Sequence, residues 1–173
     1  MLGEGMFKVK DLTKIALIAA VYSGLSLALA PLSFGSLQVR VAEALTLLPL
    51  IYPPSIIGLT LGCFITNLVG VFMGVNLLGM MDVLIGTLAT LLAAYLTYTF
   101  RHLKVKGFPA LSVLSPIVVN GLIIGAELAF VLAPSLNISM ILLFGLDVAI
   151  GETIAVIAFG LPLLRIFKTL KVF

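Results

Sequence analysis

Long runs of hydrophobic residues, separated by short polar stretches, cover almost the whole chain. Val83–Tyr98 and Ile117–Leu132 are two such runs, and neither shows an alternation of polar and apolar positions. Lipid leaves only helices or closed β-barrels as spanning structures, and a barrel strand would alternate in polarity over roughly ten residues. The pattern therefore predicts an all-α integral membrane protein.

Proline and glycine residues divide these runs into six predicted transmembrane helices of a single bundle. The predicted spans are 12–32, 40–52, 55–73, 80–100, 111–132 and 139–167. The second span is short because Pro53 and Pro54 end it, and an α-helix of that length covers only about 20 Å of a hydrocarbon layer roughly 30 Å thick. The preceding loop, 33–39, is expected to be either a plain connector or a lid that folds inward.

The composition supports the same class of protein. The chain is 62% hydrophobic and 10% charged, whereas a soluble domain carries about a quarter charged residues. The net charge of +3 would suit nucleic acid, but nine of the ten basic residues form three clusters beside apolar runs, and no nucleic-acid partner is expected. Ala28-Leu29-Ala30 resembles a signal-peptide cleavage site, yet Pro31 and the later spans predict that it is not cleaved.

The basic clusters predict the orientation of the chain. They are Lys8, Lys10 and Lys14, then Arg101, Lys104 and Lys106, then Arg165, Lys168 and Lys171. An even number of spans puts all three on one side and leaves Arg40 alone on the other. Basic residues concentrate on the cytoplasmic side, so both termini of this multi-pass cell-membrane protein are expected in the cytoplasm.

Charged and amide side chains inside the spans predict a binding pocket that opens outward. A carboxylate at mid-membrane costs about 2.5–3.5 kcal/mol and usually faces a cavity or a partner. The predicted substrate-binding residues are Arg40, Glu43, Asn67, Asp82, Asn120, Glu127 and Asp147, with Phe34 as an aromatic group for stacking. Glu152 lies deeper and is left out, and the first span is not needed for the pocket.

Simpler interpretations of the same residues stay open at this point. Arg40 and Glu43 are close enough in sequence to neutralise each other, Asp82 can be a surface or helix-capping group, and Asp147 can lie near water. Asn120 and Glu127, seven residues apart, share a helix face.

The pocket chemistry predicts binding rather than catalysis. Carboxylates accept paired N–H groups from a guanidine-like edge, which suits a ligand rich in N–H donors. The single histidine, His102, lies in a basic loop, so neither a catalytic residue nor a metal site is predicted. No cofactor is expected, because the chain lacks a GxxxxGK phosphate loop and cannot itself hydrolyse ATP.

Small residues recur every four positions along the first span. Ala16, Ala20, Gly24 and Ala28 form this stripe, and such stripes let membrane helices approach closely. The stripe predicts either packing within the bundle or a docking face for another membrane subunit, formed by Ala16, Ala20 and Gly24.

Several stretches resemble the QueT-type queuosine-precursor transporter family across nearly the whole chain. They are Gln38–Pro49 (QVRVAEALTLLP), Gly62–Leu68 (GCFITNL), Asp82–Ala94 (DVLIGTLATLLAA), Asn120–Glu127 (NGLIIGAE), Gly151-Glu152 and Gly160–Leu164 (GLPLL). The resemblance implies the S component, or substrate-binding subunit, of an energy-coupling-factor (ECF) transporter. It further implies a deazaguanine substrate, a transmembrane coupling subunit and two cytoplasmic ATPases as partners.

Other functions remain as alternatives to this one. An ion-coupled secondary carrier would use Glu127 and Glu152 to relay protons, although no inverted repeat is evident. An S component for a different vitamin fits the same architecture. A small membrane enzyme lacks any catalytic constellation.

Overall fold

The computed structural model describes residues 9–35 and 39–173, and these residues form helices joined by short turns. Residues 36–38 of the predicted lid loop, and Lys8 of the first basic cluster, lie outside the described residues. The helices are α1 (Val9–Ala28), α2 (Ala30–Ser33), a 3₁₀ helix (Val41–Leu50), α3 (Ser55–Phe72), α4 (Met80–Thr99), a 3₁₀ turn (Phe100–His102), α5 (Ala110–Leu132), α6 (Ile138–Thr153), a π-helical segment (Ile154–Gly160) and α7 (Leu161–Leu170).

Within the described residues, five helices are long and apolar enough to cross a membrane. They are α1, α3, α4 with its 3₁₀ turn, α5, and the continuous helix Ile138–Leu170 formed by α6, the π segment and α7. The predicted second span is the 3₁₀ helix, which is apolar but has only 10 residues. The predicted bundle of membrane helices is confirmed, but the predicted count of six is not, because only five helices of the described residues are long enough to cross a membrane.

The 3₁₀ helix lies in the middle of the bundle. Every residue from Ala42 to Pro49 is buried, and the segment contacts α1, α3, α4, α5 and the helix Ile138–Leu170. A 3₁₀ helix longer than three or four residues is uncommon, and irregular backbone at membrane depth is tolerated only where protein surrounds it. Surrounding helices therefore shield this segment from lipid. It carries Glu43 into the interior, and Arg40, the residue directly before it, is buried as well.

Glycines set how closely the helices pack. A Cβ atom on Gly62 of α3 would lie 2.8 Å from the Cβ of Tyr22 in α1. A Cβ on Gly125 of α5 would overlap the backbone of Gly145 in α6. A Cβ on Gly160 would lie 2.9 Å from the carbonyl oxygen of Ala44. These approaches bring α1, α6 and the π segment against the polar centre of the bundle.

The three basic clusters meet at one end of the molecule. Lys14 Nζ lies 5.3 Å from the ring centroids of both Tyr52 and Phe173. Arg101 and Lys168 line a common cavity at the same end, beside Leu50. The grouping that the sequence predicted is therefore present in the fold, while the side of the membrane that this end faces remains a prediction.

Candidate ligand-binding site

Arg40 and Asp82 form an ion pair inside the bundle. Their side chains are 8% and 1% exposed, and Arg40 Nη2 lies 3.6 Å from Asp82 Oδ2. Asn76 Nδ2 donates to the same carboxylate oxygen at 2.9 Å, and Asn67 Nδ2 donates to the Asp82 carbonyl at 2.8 Å. A Cβ on Gly86 would overlap Asp82 Oδ1. Asp82 is thus a buried carboxylate held by its neighbours, and not a surface group.

Glu43 is fixed by hydrogen bonds through one of its two carboxylate oxygens. The Tyr22 hydroxyl donates to Glu43 Oε1, and Thr90 Oγ1 donates to the same oxygen at 3.5 Å. Glu43 Oε2 is buried and has no hydrogen-bond partner within the described part of the chain. Arg40 pairs with Asp82 and not with Glu43, so neutralisation of Glu43 by Arg40 does not occur. The first span does contribute to the site, through Tyr22.

Glu152 and Asn120 face each other between α6 and α5. Asn120 Nδ2 donates to Glu152 Oε1 at 2.9 Å, and both side chains are buried. Glu152 Oε2 and Asn120 Oδ1 lack a hydrogen-bond partner in residues 9–35 and 39–173. The sequence predicted Asn120 as a binding residue, whereas Glu152 was left out because it lies deeper in its span than the other polar residues.

Glu43, Asn120 and Glu152 line one small cavity. Its volume is about 10 Å³, and its lining comprises Arg40, Glu43, Gly86, Thr90, Asn120, Ile124, Val148 and Glu152. That volume holds about one water molecule. Within the described residues, the lining side chains carry three acceptor atoms without a hydrogen-bond partner and one such donor atom, Arg40 Nε. The three acceptors are Glu43 Oε2, Asn120 Oδ1 and Glu152 Oε2. The cavity is therefore suited to a group that donates hydrogen bonds.

Two larger cavities lie away from these buried polar groups. One, of about 330 Å³, is lined by apolar and glycine residues of α5 and α6. The other, of about 320 Å³, lies among basic residues of the α4–α5 turn together with Lys168. Neither contains a buried carboxylate, so the small polar cavity is the stronger candidate site.

The remaining predicted site residues lie around the cavity without lining it. Glu127 is buried, and neither of its carboxylate oxygens has a hydrogen-bond partner among the described residues. Asp147 is partly exposed. The Phe34 ring packs on Gly70 and lies 5.4 Å from the guanidinium carbon of Arg40. Phe34 thus supports Arg40, as Asn67 supports Asp82.

Cys63 and Thr90 belong to the same polar network but were not predicted. Arg40 Nη1 donates to Cys63 Sγ at 3.6 Å, and Thr90 Oγ1 lies 3.2 Å from the same sulfur. Isolated threonine and cysteine residues are ordinary in apolar helices, so the sequence carried no signal for them. No group of three or more His, Cys, Asp and Glu side chains in the described ranges is arranged to hold a metal ion.

The small-residue stripe of α1 faces away from the bundle. Ala16, Ala20 and Gly24 are exposed, and a Cβ on Gly24 would meet nothing within 4 Å. The opposite face of α1 is buried and includes Ile18 and Tyr22. Packing of the stripe within the described part of the bundle, one of the two interpretations offered by the sequence, is therefore excluded.

Comparison with known proteins identifies one family. The family model described as QueT transporter matches residues 12–169. Neither the curated proteins nor the solved structures include a significant match to the chain.

Proposed function

The chain belongs to the QueT transporter family, and on that premise we propose that it captures a queuosine precursor in the polar cavity. The ligand would be a deazaguanine such as preQ1, preQ0 or queuine. The chain belongs to a transporter family and has five helices long enough to span a membrane, so it is a multi-pass membrane protein.

The surplus of unpartnered acceptors around the cavity is the observation that supports this substrate class. Deazaguanines carry two parallel N–H groups on their guanidine-like edge, and a carboxylate can accept both. Glu43 Oε2 and Glu152 Oε2 are buried and unpartnered within the described residues. Leaving such atoms without a donor costs about 1–3 kcal/mol each, so a ligand that donates to them gains this energy.

Binding requires the cavity to open. Its volume of about 10 Å³ is far below the roughly 300–1,000 Å³ that small-molecule pockets occupy. We propose that the loop 33–39 acts as a lid and moves with the cavity wall. Phe34 and Arg40 lie on either side of residues 36–38 and stack on each other, which would couple movement of the loop to the site.

We further propose that the chain is an ECF S component with both termini in the cytoplasm. The exposed stripe of Ala16, Ala20 and Gly24 would dock onto a transmembrane coupling subunit, because small residues allow close helix approach in lipid. The sequence contains no GxxxxGK phosphate loop, so two partner ATPases would supply the energy.

Calorimetric titration of the purified protein in detergent tests the proposed substrate. The protein should bind at least one of preQ1, preQ0 and queuine without ATP, partner subunits or an ion gradient. Glu152→Gln should weaken this binding. A well-folded sample that binds none of the three compounds would remove the substrate proposal and favour an S component for a different vitamin.

A self-sufficient proton-coupled carrier is the alternative function. Glu127 supports it, because this carboxyl is buried with no hydrogen-bond partner for either oxygen in the described structure, as expected of a proton-relay group. This carrier would use Glu127 and Glu152 in turn. It predicts gradient-driven uptake of ligand into liposomes that contain this protein alone, whereas an S component would be inactive in them.

A further inference from the structure

We propose that the cavity selects a deazaguanine whose side chain carries a protonated amine over one whose side chain is neutral. This inference rests on the proposed function and deepens it, because it assigns the charge of the ligand. Its basis is the imbalance between buried acidic and buried basic groups around the site.

The interior of the bundle holds more carboxyl groups than cations. Glu43, Asp82, Glu127 and Glu152 are all buried, whereas Arg40 is the one buried Lys or Arg side chain among the described residues. Arg40 pairs with Asp82. Glu43 and Glu152, which line the cavity, therefore have no cation of their own in the described structure.

Two buried carboxyls without a cation are costly in either protonation state. If both are ionised, they repel each other and lose hydration, which is severe in a low-dielectric interior. If one is protonated, its charge is lost but so is its use as a strong acceptor. A ligand that brings a positive charge stabilises the ionised form, while a neutral ligand with the same ring supplies hydrogen bonds only.

The two carboxyls reach the cavity from two different elements of the fold. Glu43 comes from the central 3₁₀ helix, and its Oε1 is tied to Tyr22. Glu152 comes from α6, and its Oε1 is tied to Asn120. In each, Oε2 has no hydrogen-bond partner among the residues that the structure describes. One carboxylate can thus accept the guanidine-like edge of a deazaguanine, while the other pairs with an ammonium group on the five-membered ring.

Two ligands that differ in this one group provide the test. We would titrate the protein with 7-aminomethyl-7-deazaguanine, which carries an ammonium group, and with 7-cyano-7-deazaguanine, which is neutral. Hydrogen bonds to charged groups contribute about 1 kcal/mol more than neutral ones, so the aminomethyl compound should bind about fivefold tighter or better.

Glutamine variants identify the carboxylate that contacts the ammonium group. One of Glu43→Gln and Glu152→Gln should lose affinity mainly for the aminomethyl compound, so that the ratio of the two dissociation constants approaches one. The other should weaken both ligands by a similar factor. Asp11→Asn is the matched control, because Asp11 lies at the end of the bundle and contacts Tyr52, and its ratio should equal that of the unmodified protein.

The outcomes separate the two levels of the proposal. Equal affinity of the unmodified protein for both compounds would overturn the charge selectivity and leave the proposed function standing. Binding of neither compound would overturn both. Because the ligand comparison uses the unmodified protein, the result does not depend on the glutamine variants being well folded.

Discussion

The Tyr22 hydroxyl donates a hydrogen bond to Glu43 Oε1, which joins α1 to the central 3₁₀ helix at the edge of the cavity. The same α1 carries its exposed stripe of small residues on the opposite face. One helix therefore contacts the candidate site on one side and presents the proposed docking face on the other.

Tyr22→Phe should destabilise the protein and weaken ligand binding. The change removes one of the two donors to Glu43 Oε1 and leaves only the longer contact from Thr90 at 3.5 Å. A hydrogen bond contributes about 0.5–1.5 kcal/mol, and about 1.5–3 kcal/mol when its partner is charged. Thermal unfolding in detergent should show a lower midpoint temperature than for the unmodified protein. Tyr95→Phe provides the control, because Tyr95 is exposed on α4 and its change should leave the midpoint unchanged; equal midpoints for both variants would contradict the role of Tyr22.

Arg40→Met should be more damaging than the double change Arg40→Met with Asp82→Asn. Removing one member of a buried ion pair leaves an uncompensated charge and costs about 3–5 kcal/mol. Neutralising Asp82 as well removes that charge, so part of the stability should return in chemical or thermal unfolding. If the double variant were less stable than the single one, the pair would not be the main interaction of Arg40.

Gly125→Ala and Gly24→Ala should have opposite effects on stability. A Cβ at position 125 would overlap the backbone of Gly145, whereas one at position 24 would meet nothing within 4 Å. Overpacking of this kind costs about 1–3 kcal/mol, while alanine in an open helical position is favoured over glycine by up to about 1 kcal/mol. Thermal unfolding of the two variants side by side measures the difference, and a stable Gly125→Ala protein would argue against the close α5–α6 contact.

Ala20→Leu should impair assembly with an energising module while preserving ligand affinity. The added bulk would separate two helices that approach through small residues, and Ala20 is exposed and does not line the cavity. Co-purification with the coupling subunit and ATPases should fall, with calorimetric binding unchanged. Leu88→Phe, at an exposed position on α4, should co-purify normally; equal recovery of both variants would place the docking face elsewhere.

Asp147→Asn should change ligand affinity less than Glu152→Gln does. Asp147 is partly exposed and does not line the cavity. Glu152 lines the cavity and accepts a hydrogen bond from Asn120. Calorimetric titration of the two variants measures the loss of ligand affinity that each change causes. A larger loss of affinity for Asp147→Asn would show that the ligand occupies a different part of α6.

The positions of the helices were predictable because lipid demands long apolar stretches that proline and glycine interrupt. Predicted spans such as 55–73 and 111–132 lie close to the observed α3 (Ser55–Phe72) and α5 (Ala110–Leu132). The 3₁₀ form of Val41–Leu50 was not predictable, because uniformly apolar residues show no periodicity that distinguishes the two kinds of helix.

The sequence predicted the kinds of side chain that form the site, but only some of the individual residues. Glu43 and Asn120, which were predicted as binding residues, line the cavity. Glu152 also lines it although it was not predicted, whereas the predicted Asp147 does not. The facing of α6 depends on its glycine contact with α5 and on the π segment that packs beside Ala44, neither of which residue spacing reveals. Tyr22 was missed because its partner lies on another helix, 21 residues along the chain.

The tight winding of the central segment aligns its polar groups along a single edge. With three residues per turn, Glu43 stands above Arg40, whose carbonyl accepts its N–H at 2.9 Å, and Thr46 stands above Glu43, to whose carbonyl it donates. An α-helix would fan the same positions apart by about 60° at each step. A single inserted residue would turn this edge by about 120° and direct the Glu43 carboxylate away from Glu152.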